Sequence, residues 1–250
     1  MTENLLESLG PEYPFPEGVV LPIDKPLGWT STDVVRRVRT LMRRLGYRKI
    51  KVGHAGTLDP LATGVLLVCV GRATKRVDEL QAEEKEYRAV IELGATTPSF
   101  DLEHPVDARY PWEHITREGV EAVLRGFVGE QEQEPPVYSA KKLEGRRAYE
   151  YAREGEEVRM RTARVTIYEA WLEGCRLPTA PEVEVRIACS KGTYIRSFAR
   201  DLGRRLESGA HLTALRRLRS GGYRAEACLS LEELEAKLSA MLAPVETISQ

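Results

Sequence analysis

Hydrophobic positions along this chain recur with two periods. Val34, Val35, Val38, Leu41, Met42 and Leu45 follow helical spacing, the mark of one apolar helix face. Ser31 or Thr32 can cap that helix and Gly46 can end it, which turns its arginines to the opposite, exposed face. Residues 65–70, Val-Leu-Leu-Val-Cys-Val, form an unbroken apolar run and predict a buried strand. Tyr87, Ala89, Ile91 and Leu93 occupy every second position, as a strand with one buried face requires. Val165 with Ile167, and Val183 and Val185 with Ile187, repeat that pattern. Val120, Val123, Leu124 and Phe127 define a second helix, and Ile195, Phe198, Leu202 and Leu206 a third. Ser230 and Glu233 form a capping box for a last helix through Leu242. Helices interspersed with neighbouring alternating strands predict an α+β (mixed α/β) fold. Residues 1–18, punctuated by Pro11, Pro14 and Pro16, read as a flexible acidic leader. The rest shows no repeat, low-complexity tract or interdomain linker.

Composition adds one correction to this outline. With 250 residues, 42% of them hydrophobic and 30% charged, the chain can bury a real core as one large domain or two modest ones. Its 37 Lys+Arg and 38 Asp+Glu give a net charge of -1, without the basic excess common in nucleic-acid binders. That average conceals a segregation. Arg36 to Lys51 holds eight basic residues and no acidic one, and Arg196 to Arg224 holds eight arginines against Asp201 and Glu207. The ends are acidic instead. Either stretch alone reads equally well as a solvated helix face; together they fit phosphate-backbone binding. Cys69, Cys175, Cys189 and Cys228 are widely spaced, which suits buried thiols in a reducing cytoplasm rather than a disulfide framework. No apolar run reaches 18 residues, so no membrane partner is expected.

The chain holds no G-x-x-x-x-G-K-[ST], G-x-G-x-x-G, H-E-x-x-H or G-x-S-x-G motif. Its four histidines, His54, His104, His114 and His211, are isolated, so neither a metal nor an organic cofactor is expected. Carboxylate chemistry remains. Residues 53–64, Gly-His-Ala-Gly-Thr-Leu-Asp-Pro-Leu-Ala-Thr-Gly, put Asp59 on a constrained loop between the basic helix and the apolar strand. An Asp before Pro is commonly a turn residue, yet here it is also well placed as a nucleophile or base. If Thr193 caps the third helix, Arg196 falls at its third position. A cation there opposes the helix dipole and points to an anionic partner, a carboxylate such as Asp59 or a phosphate.

Gly53 to Gly64 closely resembles the catalytic motif of the TruB family of tRNA pseudouridine synthases. The similarity extends over Asp24-Lys25-Pro26-Leu27-Gly28, Gly71-Arg72-Ala73-Thr74-Lys75, Lys85-Glu86-Tyr87, Pro135-Pro136-Val137-Tyr138-Ser139-Ala140, Lys191 to Arg196 and Leu215-Arg216-Arg217. In order and spacing it covers about residues 19 to 225. The resemblance implies a pseudouridine-synthase fold, a mixed, mostly antiparallel sheet flanked by helices, and isomerisation of the uridine at position 55 in the T loop of tRNA. It implies Asp59 as the catalytic aspartate, Tyr87 stacked on the uracil and Arg196 paired with Asp59. Tyr194, Leu215, Asp101 and Lys25 would lie at the substrate, and His54 would help hold the base flipped out. Thr97-Pro98-Ser99-Phe100 departs from the family's usual polar run before Asp101. RNA contacts are expected from Arg36, Arg43, Lys51, Arg216 and Arg217, and from Lys141, Lys142, Arg146 and Arg147 in a mobile RNA-binding insertion at 135–160.

The organisation implied is one catalytic domain over 19–243, acting as a monomer on the tRNA T stem-loop. Many bacterial relatives continue into a PUA-type RNA-binding domain, which this chain is expected to lack. Two rivals stand beside this reading. One is an RNA-binding or tRNA-folding protein. The other is a glycosidase-like hydrolase, which lacks an evident second carboxylate.

Overall fold

The computed structural model describes residues 8–10, 12–138, 142–143, 146–147 and 160–242. In chain order the elements are β1 (Val19–Lys25), α1 (Ser31–Arg44), β2 (Val52–Ala55), β3 (Ala62–Val70) and α2 (Val77–Ala82). Next come β4 (Lys85–Leu93), β5 (Ala95–Thr96), β6 (Ala108–Arg109), α3 (Arg117–Arg125) and β7 (Gly129–Gln133). A small hairpin, β8 (Lys142–Leu143) with β9 (Arg146–Arg147), precedes β10 (Ala163–Cys175) and β11 (Glu182–Cys189). The chain ends through α4 (Ile195–Arg205), β12 (Ala210–Ser220), β13 (Tyr223–Arg224) and α5 (Leu231–Ala240). The chain forms two compact units, Met1–Glu83 with Arg217–Gln250, and Glu84–Arg216.

In the first unit the predicted apolar run is the central strand. β3 is buried at eight of its nine positions, because β1 pairs along one edge, from Val19↔Val70 to Lys25↔Gly64, and β2 along the other, from Val52↔Val70 to Ala55↔Leu67. Both pairings are antiparallel, while a parallel bridge joins Ile23 to Leu229. Helix α1 buries Val34, Val35, Val38, Leu41 and Met42 as its spacing predicts. Its cap is Thr30, one residue earlier than expected. The Thr30 hydroxyl accepts from the Asp33 amide at 3.0 Å and the Asp33 carboxylate accepts from the Thr30 amide at 3.1 Å. The capping box at Ser230 and Glu233 opens α5 as predicted, although that helix stops at Ala240. The Arg37 guanidinium holds the Glu235 carboxylate, joining α1 to α5. At Gly64 φ is +99°, and a Cβ there would lie 2.1 Å from the Arg217 carbonyl oxygen. Only glycine fits where β3 passes the Arg217 backbone.

In the second unit β4 pairs with β11, β11 with β10 and β10 with β7, all antiparallel. Lys85, Tyr87, Ala89, Ile91 and Leu93 point inward, as the alternation predicts. The other face is tied by ion pairs: Arg186 holds Glu86 and Glu173, while Arg88 holds Glu173 and Glu184. Helices α3 and α4 cover the buried face, with the Phe127 and Phe198 rings 4.4 Å apart. β10 runs well beyond its predicted Val165–Ile167 core, because two register shifts let the strand continue without a strict period. Each unit thus combines helices with a mixed or antiparallel sheet. No helix among the described residues is long and apolar enough to cross a membrane.

Candidate active site

Asp59 lies in the turn between β2 and β3, half-buried. Every carbonyl of that turn from Gly56 to Pro60 is held. Arg217 donates to Gly56 (3.1 Å) and Thr57 (3.4 Å). Ser31 donates to Leu58 (3.0 Å) and its hydroxyl accepts the Leu58 amide at 2.8 Å. The Ala62 amide reaches the Asp59 carbonyl at 3.0 Å, and Pro60 accepts from the Gly28 amide at 2.9 Å and from Lys25 at 3.3 Å. Gly56 stands at φ +88°, a left-handed conformation a side chain would resist. The carboxylate is therefore carried on a backbone with few alternative conformations, which is how a reacting group is preorganised.

Two expected substrate-facing cations are internal supports instead. Lys25 is fully buried, and its three ammonium protons serve the carbonyls of Trp29 (2.6 Å), Pro26 (2.9 Å) and Pro60 (3.3 Å), leaving none for substrate. Arg217, expected at the RNA, is 1% exposed and spends its fork on Val65 (2.7 Å), Thr57 and Gly56. The physical reason is one that adjacency in sequence cannot show: β12 carries Arg217 inward beneath the turn, while Arg216 stays half-buried.

Burial pulls the Lys25 ammonium down to about 8, opposed by the Asp59 and Asp24 carboxylates and assisted by Arg217. In the unfolded chain it returns to its ordinary value of 10.5. Between those values the unfolded chain binds a proton that the native protein does not, so this group's contribution to stability rises with pH across that window. The expected difference is about 3 kcal/mol at full span, taking 1.36 kcal/mol per pH unit. Urea melts of the parent and of Lys25→Met at pH 7.5 and 9.5 read it: the parent gains stability relative to the variant at the higher pH. The His54 imidazole is also held below its ordinary value, by burial and then by Arg217, and is neutral at pH 7.

Ser31 is the support that the sequence pattern missed. Expected as a cap, it gives both its hydrogen-bonding roles to Leu58 while Thr30 does the capping. Nothing in a Thr-Ser pair before a helix announces which hydroxyl turns inward. Ser31→Ala strands a buried amide and a buried carbonyl, a loss of about 1–3 kcal/mol. Denaturant melts should show it, together with faster amide hydrogen exchange at Leu58.

The second unit presents a different group. Tyr87, 8% exposed, sits on β4 opposite Ile187. Arg196 is buried at the second position of α4. Its Nη1 donates to the carbonyls of Tyr138 (2.9 Å) and Ser99 (3.4 Å), and its Nε lies 3.7 Å from Asp101. Tyr194 is the N-cap, with no side-chain cap of its own. Thr193, expected as the cap, donates to the Ser190 carbonyl at 2.9 Å instead, because the helix begins one residue later, with Tyr194 at the cap. Asp101 is buried and accepts the Glu103 amide at 3.0 Å. Before it, Phe100 takes φ +62°, uncommon for a bulky residue, and its ring lies 5.0 Å from the Arg200 guanidinium carbon. Leu215 is half-buried on β12.

The basic stretches fare unequally. Arg36, Arg43, Arg44, Arg48, Lys49 and Lys51 are exposed, as an RNA-facing surface needs. Of the eight arginines from Arg196 to Arg224, Arg196, Arg200 and Arg217 are buried, so three of them are withdrawn from any basic face while Arg204, Arg205 and Arg224 stay exposed. Lys141 and most of the 135–160 insertion lie outside the described residues, as do the side chains of Lys142, Arg146 and Arg147. Among the described residues no group of three or more His, Cys, Asp or Glu could hold a metal ion.

Comparison with known proteins draws both groups into one family. Residues 43–195 match the model described as TruB family pseudouridylate synthase (N terminal domain), and 196–249 match tRNA pseudouridylate synthase B C-terminal domain. A protein of Phocaeicola vulgatus named tRNA pseudouridine synthase B is 58% identical over 219 residues, 87% of this chain and 92% of its own length. One of the same name from Thermobifida fusca is 48% identical over 230 residues, 90% of this chain and 76% of its own. Among solved structures, "Crystal Structure of a Cbf5-Nop10-Gar1 Complex" contains a chain that superposes with a TM-score of 0.69 at 29% identity. The match covers 92% of this chain and 57% of that one.

Proposed function

This chain belongs to the TruB family of pseudouridylate synthases, and we propose that it converts the uridine at position 55 of tRNA to pseudouridine. The observation that carries the proposal is the turn at Asp59, a carboxylate on a backbone whose every carbonyl from Gly56 to Pro60 is bound. A stacked uridine hides its glycosidic bond, so the base is first extruded from the T loop. Tyr87, fixed on β4, offers the ring on which the uracil stacks. Asp59 acts at the ribose while the C1′–N1 bond breaks. The uracil turns, C1′ joins C5, the C5 proton is lost and N1 gains one, with no net change in composition. Arg196 supplies a fixed positive charge for the substrate, and Tyr194, Asp101 and Leu215 line the place of the base. His54, neutral at pH 7, contacts the T loop without adding charge. Arg36, Arg43 and Lys51 supply phosphate contacts from the exposed basic stretch.

The test is release of tritium from tRNA carrying 5-tritiated uridine, since loss of the C5 proton accompanies each turnover. Stoichiometric release from tRNA and from an isolated T stem-loop is expected. Tight tRNA binding without release would favour an RNA-folding role and overturn the proposal.

A further inference from the structure

Gln133 ends β7, and only 6% of it is exposed. Its Nε2 donates to the Tyr194 carbonyl at 3.1 Å, and its Oε1 accepts the Tyr194 amide at 2.8 Å. One carboxamide therefore takes both backbone groups of a residue 61 positions away. Tyr194 is the N-cap of α4 and makes no side-chain cap bond of its own, and Arg196 follows two residues later. The next turn has its own anchor: the Glu134 carbonyl accepts from Ser197 at 2.7 Å and from Arg200 at 3.2 Å. Loss of the Gln133 amide would leave the Tyr194 carbonyl on the Phe198 amide (3.0 Å) but remove the clasp that ties this N-cap to β7, while Ser197 and Arg200 stay bound.

We propose that Gln133 is a positioning residue, whose carboxamide sets the backbone of Tyr194 and so the placement of the Tyr194 side chain and the Arg196 guanidinium at the uridine. The inference rests on the pseudouridine-synthase reading of those two residues. A fork with one donor and one acceptor is what this role demands. Glutamine and asparagine carry one, and asparagine is a methylene too short to reach from this strand. The pattern of β7, Gly-Glu-Gln-Glu-Gln, gives no sign of it, because a polar strand end ordinarily faces water.

Gln133→Glu tests the proposal through its pH profile. The variant is nearly isosteric. Its ionised carboxylate still accepts the Tyr194 amide but turns a lone pair toward the Tyr194 carbonyl, whereas the protonated acid donates to that carbonyl and restores both bonds. Near neutral pH, kcat for tritium release is expected to fall roughly ten- to a hundred-fold, with KM near the parent's and a lower Tm that recovers as the acid protonates. The ratio of variant to parent kcat should then climb as pH falls through the new carboxyl's titration. Glu132 on β7, Glu134 just after it, Arg164 on β10 and Arg200 on α4, the adjoining charged groups, are common to both proteins and cancel in that ratio. Gln133→Met, similar in length but without polar atoms, should lose kcat at every pH. Should Gln133→Glu fold poorly, the kcat of Gln133→Met at unchanged KM decides. A flat ratio across pH, a loss carried by KM alone, or parental kcat in Gln133→Met would overturn the positioning role. A parent that releases no tritium would instead overturn the functional reading beneath it.

Discussion

Asp59→Asn is expected to reduce tritium release from 5-tritiated tRNA by about a thousand-fold or more, with Tm and tRNA affinity close to the parent's. The substitution preserves volume, and the bonds described above for Gly56 to Pro60 are all made by main-chain groups of the turn, the Leu58 amide and the five carbonyls. What disappears is the negative charge and the oxygen lone pair able to act at the ribose. An amide does neither at neutral pH. A second consequence separates this from simple damage. The Asp59 carboxylate is one of the two charges that raise Lys25 against its burial; with it gone, the Lys25 ammonium should titrate below its value of about 8. Turnover retained in Asp59→Asn would remove Asp59 from the reaction altogether.

Arg217→Ala is expected to cost about 3 kcal/mol or more, because it empties the place of a fully buried side chain and strands the buried Val65 carbonyl together with the part-buried carbonyls of Thr57 and Gly56. For a chain of this size that corresponds to a Tm lower by about 6–12 °C. Turnover should fall with it, since two of the three carbonyls belong to the turn that carries Asp59. Arg217→Lys keeps the charge but lacks the planar fork, and should fall between alanine and the parent. The competing role as a phosphate contact makes the opposite forecast: unchanged Tm, weaker tRNA binding, and a salt dependence of affinity shallower by about one phosphate. Thermal melts and a salt titration of tRNA binding on the same variants distinguish the two. Arg43→Ala, on the exposed stretch, is the natural comparison, because there the salt effect without loss of stability is the expected result.

The contrast between Arg216 and Arg217 shows where sequence reasoning stopped. The two are adjacent in a basic stretch, and their charge says nothing about which one turns inward. Pairing of β12 decides it by setting which residues of that strand face the turn at Asp59. The same limit applies to Lys25, whose charge points toward a ligand until its three protons are found on carbonyls. Ser31 and Thr30 exchange the roles their positions suggest. In each case the deciding partner is a main-chain group distant in sequence or hidden in a turn, and main-chain groups leave no mark on composition or period.

What the sequence determined by itself is set by short-range physics. Helix α1, the apolar strand β3, the alternation of β4 and the capping box of α5 depend on residues within a few positions of one another, and all four appear where their patterns place them. The position of Asp59 in a turn rich in glycine and proline follows from the same local rules. Tertiary structure alone decided how that turn is held, which of the basic residues reach solvent, and that Gln133 clasps Tyr194 across 61 positions. A buried charge or amide is tolerated only where partners satisfy it, and those partners come together only when β2, β3 and β12, or β7 and α4, take their places in the fold.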